Sequence, residues 1–443
     1  MKAGTRLYSA LQSVISDLSA HTYSGASAAI NSMNRSGEGL AYQTSFTPFL
    51  SSGLDAVTWV GDVSALMIDS QGRLRSDDGD AVLENTNTDP IYDSCYDQTN
   101  KQIRVKFSFN DSQRPNPSEV VACSASGVFN KYPEDVGYLW QAKDTLSDLT
   151  SAEAREQRSA YNSPAKNRYI RTNIYQGEPG NGILKFVEKD FIPDTFSAAQ
   201  VGLLNTDNLA DAKKLVNFVR GEDQEGMRSR KLDGATLRLG DVMYSAPVPV
   251  GRPAENLHLL YDDASYRDFF EQYRDRRTIV YVGGNDGMLH AFNGGWYDKT
   301  NASFNGSKNS FTKWGLGQET WAFVPYNLLP HLHYLSKKTY GLKEGDHTYF
   351  VDQKPYVFDA QIFGAEGLIG QPDSSSNVTT HPNGWGTILV AGFRSGGGQS
   401  EIFPNPGDTD TSVTVRPAYL IFDITDPEQA PKLLTEFSHK KLG

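Results

Sequence analysis

One stretch constrains the fold more than any other. Residues 277–284 (RTIVYVGG) are rich in β-branched and aromatic side chains, break at Asn285-Asp286-Gly287 and resume as Met288-Leu289-His290-Ala291-Phe292. Such residues favour a pleated strand, and Asp-Gly readily supplies the positive φ of a tight turn. The stretch therefore predicts a β-hairpin. Comparable units recur at Thr320–Val324, Thr348–Val351, Thr387–Phe393 and Ala418–Ile424. A series of this kind points to a sandwich, barrel or propeller. No strict period links the units, so repetition rests on their grammar rather than on repeated sequence. Composition agrees: 22 Tyr, 22 Phe, 40 Gly and 21 Pro suit strands and turns better than a helical bundle.

Upstream the texture changes. Leu7, Leu11, Val14, Ile15 and Leu18 share one helical face, predicting a short amphipathic helix over 1–20. Small polar residues at 21–36 read as a linker. From Leu40 onward short strand candidates alternate with turns such as Asp69-Ser70-Gln71-Gly72 and Asp77-Asp78-Gly79-Asp80, as in an antiparallel meander. Residues 141–166 read as a weakly ordered helical interruption. Strands return at 169–174 and 182–186, a helix is expected from Asn208 to Arg220, and the charged 221–235 stretch is expected to be exposed. Three parts result: helix and linker over 1–36, a β-rich part with helical insertions over 37–235, and the main β units over 236–443.

Lys plus Arg number 42 and Asp plus Glu 53, a formal net charge of −11. An acidic chain lacks the cationic surface that phosphate backbones demand, so nucleic acid is not the expected partner. No run of apolar residues is long enough for a transmembrane segment, and the N-terminus lacks the apolar core of a signal peptide. Any export signal is expected upstream of residue 1. The two cysteines, Cys95 and Cys123, flank a strand-like segment and a turn. A disulfide stapling a hairpin and a pair of reduced thiols both fit that spacing.

Few residues suggest chemistry. The Asp69 and Asp77–Asp80 turns could gather carboxylates around a cation, but hairpin turns use Asp and Gly in any case, and a structural turn is the preferred reading. His290 reads as a half-buried strand histidine bonded to a neighbour rather than a ligand or general base. His331 and His333 would share one face of a strand, without a third zinc ligand nearby. No nucleophile-elbow, zincin or P-loop pattern occurs. Gly396-Gly397-Gly398 reads as a flexible loop. Arg220-Gly221-Glu222-Asp223 is not an integrin-type Arg-Gly-Asp. No catalytic, cofactor-binding or metal-binding residue is assigned.

The run VYVGGNDGMLHAF (280–292) resembles the signature strand pair of the PilC β-propeller, found in the PilY/PilC proteins of type IV pili. Further similarities follow in order: LGDVMYSAPVPVG (239–251), TWAFVPYNLL (320–329), HTYFVDQKP (347–355), GWGTILVAGFRSGGG (384–398) and YLIFDITDPEQAPKLL (419–434). RGEDQEG (220–226) resembles a family landmark, and LSSGLDAVTWVGDV (50–63) resembles the lead-in to the propeller.

The resemblance implies a mainly β chain with an irregular, quinoprotein-dehydrogenase-like β-propeller, incomplete here, preceded by the short N-terminal helix. It further implies a non-catalytic module of pilus biogenesis and tip-associated adhesion. Expected partners are pilins or minor pilins and a host-cell or abiotic surface. The expected location is extracellular or outer-membrane associated, reached through the periplasm. Family members bind calcium in a loop that regulates extension and retraction. That loop is expected beyond residue 443, so no calcium ligand is carried over. A quinoprotein dehydrogenase using the quinone PQQ is the alternative, because its blades share the Gly-x-Asp-Gly-x-Leu-x-Ala turn. Against it stand unevenly spaced tryptophans, separated cysteines and a single convincing blade motif.

Overall fold

The computed structural model describes residues 24–32, 39–84, 88–97, 100, 102–116, 128–175, 186–308, 314–343, 345–364, 380–402 and 412–438. Its longest feature is a hairpin of β2 (Gly39–Ser52) and β3 (Asp55–Ile68), paired from Gly39 opposite Ile68 to Ser52 opposite Asp55. The connection is Gly53-Leu54, and Gly53 supplies the positive φ of 59° that the tight turn requires. The hairpin is apolar on both faces. Leu40, Tyr42, Val63, Ala65 and Met67 lie on one face and pack with Val280, Val282 and Phe292, while Ala41, Leu66 and Ile68 pack on the other with Val105 and Val136.

This hairpin is the centre of a seven-stranded sheet. β1 (Ser24–Ser32) adds to β2; β4 (Leu74–Arg75), β5 (Ile91–Asp97) and β6 (Gln102–Ser108) follow beyond β3; β7 (Trp140–Gln141) also pairs with β3. Residues 24–32, expected as linker, are thus a strand, because the small residues of that stretch can lie extended against β2. The expected helix over 1–20 lies outside the described residues.

A second sheet contains β8 (Ile170–Tyr175), β9 (Phe186–Asp190), β12 (Val248–Val250), β13 (Thr278–Gly283), β14 (Leu289–Asp298) and β16 (Glu319–Val324), in the order β12-β13-β14-β16-β8-β9; β15 (Ser303–Asn305) pairs with β14. Its first four strands have the antiparallel order of a propeller blade. The β16–β8 pairing is parallel. The third sheet, β17 (Tyr356–Gln361), β18 (Trp385–Gly392), β21 (Ala418–Asp423) and β22 (Lys432–Ser438), is a second four-stranded antiparallel unit. Short ribbons of β10 (Lys231–Leu232) with β11 (Ala235–Thr236), and β19 (Ser400–Ile402) with β20 (Val413–Val415), complete the strands. The chain is mainly β. Among the described residues, no sheet closes on itself.

The second and third sheets share one core. Trp321 and Phe323 of β16 meet Phe422 of β21 edge-on, with ring centroids 5.1 and 5.0 Å apart. Buried Glu436 on β22 reaches across, accepting hydrogen bonds from Asn173 Nδ2 (2.7 Å) and from the Tyr326 and Asn327 backbone N–H groups (3.1 and 3.0 Å).

Other expectations need correction. Residues 141–166 carry two short helices, Ala142–Ser147 and Ser151–Arg155, and are anchored rather than loosely ordered. Asp62 accepts from the Lys143 N–H (3.0 Å) and from Gln141 Nε2 (2.6 Å), and Leu146 is buried. Thr348–Val351 is not a strand. Its backbone is taken up irregularly, with Phe350 N–H donating to Asn285 Oδ1 (3.0 Å). His331 and His333 lie in a 3-10 segment, Tyr326–Ser336, not on a strand. His331 Nε2 is 3.0 Å from the Gly398 carbonyl and His333 Nδ1 is 2.9 Å from that of Pro330. Gly396 and Gly397 are buried, and a Cβ on Gly396 would strike the Phe350 carbonyl, so close approach accounts for them better than flexibility. Within 221–235, Arg230 is buried and donates to the Phe218 carbonyl (2.7 Å). The helix Leu209–Arg220 forms as expected, capped by Asn208.

Candidate functional site

The turn between β13 and β14 is the meeting point of the sequence motifs. Gly287 takes the positive φ (98°), leaving Asn285 and Asp286 to face inward. Asn285 N–H donates to the Asp241 carbonyl (3.0 Å), and its side-chain amide donates to Asp241 Oδ2 (2.7 Å). His347 Nε2 lies 2.9 Å from Asp241 Oδ1, and its ring rests on Trp59, centroids 4.2 Å apart. Trp59 belongs to β3, and the next residues join the same seam: Gly61 N–H donates to the Leu239 carbonyl (3.1 Å). A Cβ on Gly61 would collide with the Gly240 carbonyl, so glycine is required there. Segments 59–61, 239–241, 285–287 and 347–350 are thus sewn together through one turn.

Behind this turn runs a buried ionic chain. Arg168 grips Glu319 through two bonds, Nε to Oε2 (2.7 Å) and Nη2 to Oε1 (2.8 Å), and donates from Nη1 to the Arg220 carbonyl (2.6 Å). Glu319 Oε1 is also 2.8 Å from His290 Nδ1, and His290 Nε2 is 3.0 Å from Asp286 Oδ1. The Gly240 N–H donates to Asp286 Oδ2 (3.1 Å). With an acceptor on each ring nitrogen, His290 is held as the imidazolium. Burial pushes its pKa down, but the Asp286 and Glu319 carboxylates outweigh that and carry it up to about 9. Burial likewise pushes Glu319 up, and Arg168 and His290 overcome it, drawing the carboxyl down to about 2. Two cations and two anions then balance. Arg168 and His290 are fully buried, and Asp286 and Glu319 nearly so. Such a chain can lock strands together. It offers no exposed acid, base or nucleophile to a substrate.

His290 is therefore a bonded strand histidine as its sequence implies, though buried rather than half-buried. Its partner Glu319, and Arg168 bound in turn to Glu319, were not singled out from the sequence. The one available cue was a lone acid heading the apolar run ETWAFV. Arg220 is likewise buried, donating to the Arg155 carbonyl (2.6 Å) and the Phe191 carbonyl (2.8 Å); burial first, and Arg168 second, bring its pKa down to about 9. The RGEDQEG landmark thus serves packing.

The two acidic turns differ. Asp69 Oδ1 accepts from the Gln71 and Arg73 N–H groups (3.0 Å each), and Oδ2 from Arg73 Nε (2.8 Å) and Arg75 Nε (2.9 Å). That is a neutralised structural turn, as expected. Asp77, Asp78 and Asp80 instead bring one carboxylate oxygen each within 4.8 Å of the others. Cys95 is disulfide-bonded; the chain's other cysteine, Cys123, lies outside the described residues. A cleft of about 430 Å³ opens beside β12, lined by Arg252, Arg276, Trp296, Asp359 and Thr387. No helix among the described residues is long and apolar enough to cross a membrane.

Three of the segments sewn through the turn, 239–241, 285–287 and 347–350, fall inside one family match: residues 239–368 match the PilY1 β-propeller domain. Over those residues the chain is similar to that domain. It is similar to the type IV pilus biogenesis factor PilY1 of Pseudomonas aeruginosa strain PAO1, 30% identical over 222 residues, which covers 47% of this chain and 15% of that protein. A PilY1 homolog of Xylella fastidiosa is 30% identical over 195 residues, 42% of this chain and 14% of the relative. The chain thus spans a minor part of the length of these relatives. The crystal structure of the P. aeruginosa PilY1 C-terminal domain shares 27% identity, covering 43% of this chain and 25% of that one, with a TM-score of 0.22. Within the PilY1 match lie Asp241, Asn285, Asp286, His290, Glu319 and His347. Arg168 and Trp59 reach into it from outside.

Proposed function

We propose that this chain acts in type IV pilus biogenesis as a non-catalytic binding and assembly module at the cell surface, near the pilus tip. There it contacts pilins or minor pilins and promotes attachment to host-cell or abiotic surfaces. The observation that carries the reading is the PilY1 β-propeller match over residues 239–368, with relatives named as pilus biogenesis factors. The buried ionic chain supports the non-catalytic part, since its acids and its histidine satisfy one another away from solvent. Specificity in such a module resides in loops carried by a rigid scaffold.

The test is deletion of the gene in the bacterium that encodes it, with complementation by the intact gene. Loss of surface pili and of surface attachment, restored on complementation, is the expected result. Wild-type piliation and attachment in the deletion strain would overturn the proposal. Incubation of the purified chain with PQQ tests the non-catalytic part: stoichiometric quinone uptake with dye-linked alcohol oxidation would replace it with an enzyme.

A further inference from the structure

The connection from β12 to β13 leaves and re-enters the second sheet at one place, because Val250 pairs with Ile279. It therefore brings Arg252, just past β12, and Arg276, just before β13, to the same cleft of about 430 Å³. The pairing of β14 with β15, Trp296 opposite Asn305, brings Trp296 and Lys308 to that cleft as well. Neighbouring arginines have carboxylate partners: Arg274 pairs with Glu271, and Arg277 with Glu428 (2.8 Å). Among the described residues, Arg252, Arg276 and Lys308 have none. Arg252 and Lys308 are exposed, whereas Arg276 is half-buried. The acceptors of Arg276 are all neutral. Its Nε donates to the Gly251 carbonyl, its Nη1 to the Thr425 carbonyl (2.7 Å), and both Nη atoms to Thr387 Oγ1 (3.0 Å each). A guanidinium has five N–H donors, and these bonds leave one on Nη2 without an acceptor. Asp359 also lines the cleft, but it accepts from the Tyr266 and Thr387 hydroxyls (2.7 Å each) and reaches Arg276 only through Thr387. A guanidinium withdrawn from water without a paired anion is costly.

We propose that this cleft captures the C-terminal carboxylate of an extended peptide segment of a partner protein, held by Arg252, Arg276 and Lys308. Charge sets the sign and size of the ligand. Four basic side chains line the cleft against three acids, an excess of one positive charge in a chain of net charge −11. That excess matches a monoanion such as carboxylate better than the near-dianion of a phosphate ester. The planar fork of an arginine also suits a carboxylate. The peptide follows from the walls. Among the described residues, β12 and β17 stand at the ends of their sheets, and both line the cleft. An edge strand presents unpaired N–H and C=O groups, which the backbone of an extended peptide matches and a sugar ring does not. Val357, Phe358 and Tyr297 supply apolar wall for the side chains of such a peptide. Recognition thus joins a charge-assisted anchor to main-chain contacts. The site does not depend on the pilus reading.

The test uses the purified chain and an array of random N-acetylated pentapeptides without Asp or Glu, so that the free C-terminus is their sole carboxylate. Each is matched by its C-terminal amide. The expected result is saturable binding of a subset of the free acids, with Kd below about 1 mM. Their amides should bind at least about tenfold more weakly, as loss of a charge-assisted bond implies. Carbodiimide treatment of the tightest complex should join the peptide carboxylate to Lys308 Nζ as an amide, located by peptide mapping. The exposed pair Arg252→Gln with Lys308→Gln should weaken binding at least about tenfold and leave the circular dichroism spectrum unchanged. Absence of binding, equal binding of acids and amides, coupling only at other lysines, or full binding by the double variant would overturn the proposal. Tighter binding of sialyllactose than of every peptide would also overturn it, and assign the cleft to carboxylated sugars.

Discussion

The first and second sheets each gather carboxylates at a turn, and the fold treats the two groups in opposite ways. In the second sheet, Asp286 and Glu319 are buried and matched one for one by His290 and Arg168. In the first, Asp77, Asp78 and Asp80 converge with no basic side chain among the described residues to balance them. A buried charge persists only when paired and hydrogen-bonded. The second sheet imports its cation from residue 168, 151 positions before Glu319. Among the described residues the Asp77–Asp80 turn draws instead on backbone donors, the Ala81 N–H for Asp77 and the Val82 N–H for Asp80.

The largest effect expected from breaking this contrast is at Glu319. Glu319→Ala leaves Arg168 and His290 as buried cations without their shared anion, a loss of roughly 3–5 kcal/mol of unfolding free energy. Urea unfolding, followed separately by tryptophan fluorescence and circular dichroism, measures it. A loss below about 1 kcal/mol would mean the chain of charges is solvated and not a lock.

The next effect is a pH dependence with a definite sign. His290 has its pKa raised by folding to about 9, against an ordinary value of about 6.5. A histidine raised in this way contributes its full stability below pH 6.5 and loses it as pH rises through 9. The window corresponds to roughly 3 kcal/mol. Unfolding free energy should therefore fall between these pH values, and His290→Gln should flatten that part of the profile. An unchanged slope in the variant would assign the dependence to other groups.

The sequence was informative where structure is local. The 277–292 hairpin, the Asn208-capped helix and the Asp69 turn follow from residue types a few positions apart, and the structure has each of them. The errors have non-local causes. Thr348–Val351 has the composition of a strand, but Asn285 and Gly284 claim its backbone first. His331 and His333 alternate as on a strand, yet Pro325 and the buried Leu328, Leu329 and Leu332 set a 3-10 segment. Small polar residues at 24–32 carry no strand signal, and pairing with β2 supplies it. For the charged centre, Asp286 and His290 were visible as a turn and a strand histidine. Arg168 and Glu319 were not, because nothing in a single sequence states that residues 168 and 319 will touch.

The smallest effect is also the sharpest discriminator between the two kinds of acid. Asp69 and Asp78 lie nine positions apart in sequence, one saturated with donors and the other exposed without a cation. In EDTA, Asp69→Asn should lose roughly 2 kcal/mol, since it disrupts charge-assisted bonds to Arg73 and Arg75. Asp78→Asn should change stability by no more than about 0.5 kcal/mol, and toward greater stability, because it relieves repulsion with Asp77 and Asp80. If Asp78→Asn is destabilising in EDTA, the loop acids already have a balancing charge within the protein. The contrast between the two sheets then disappears.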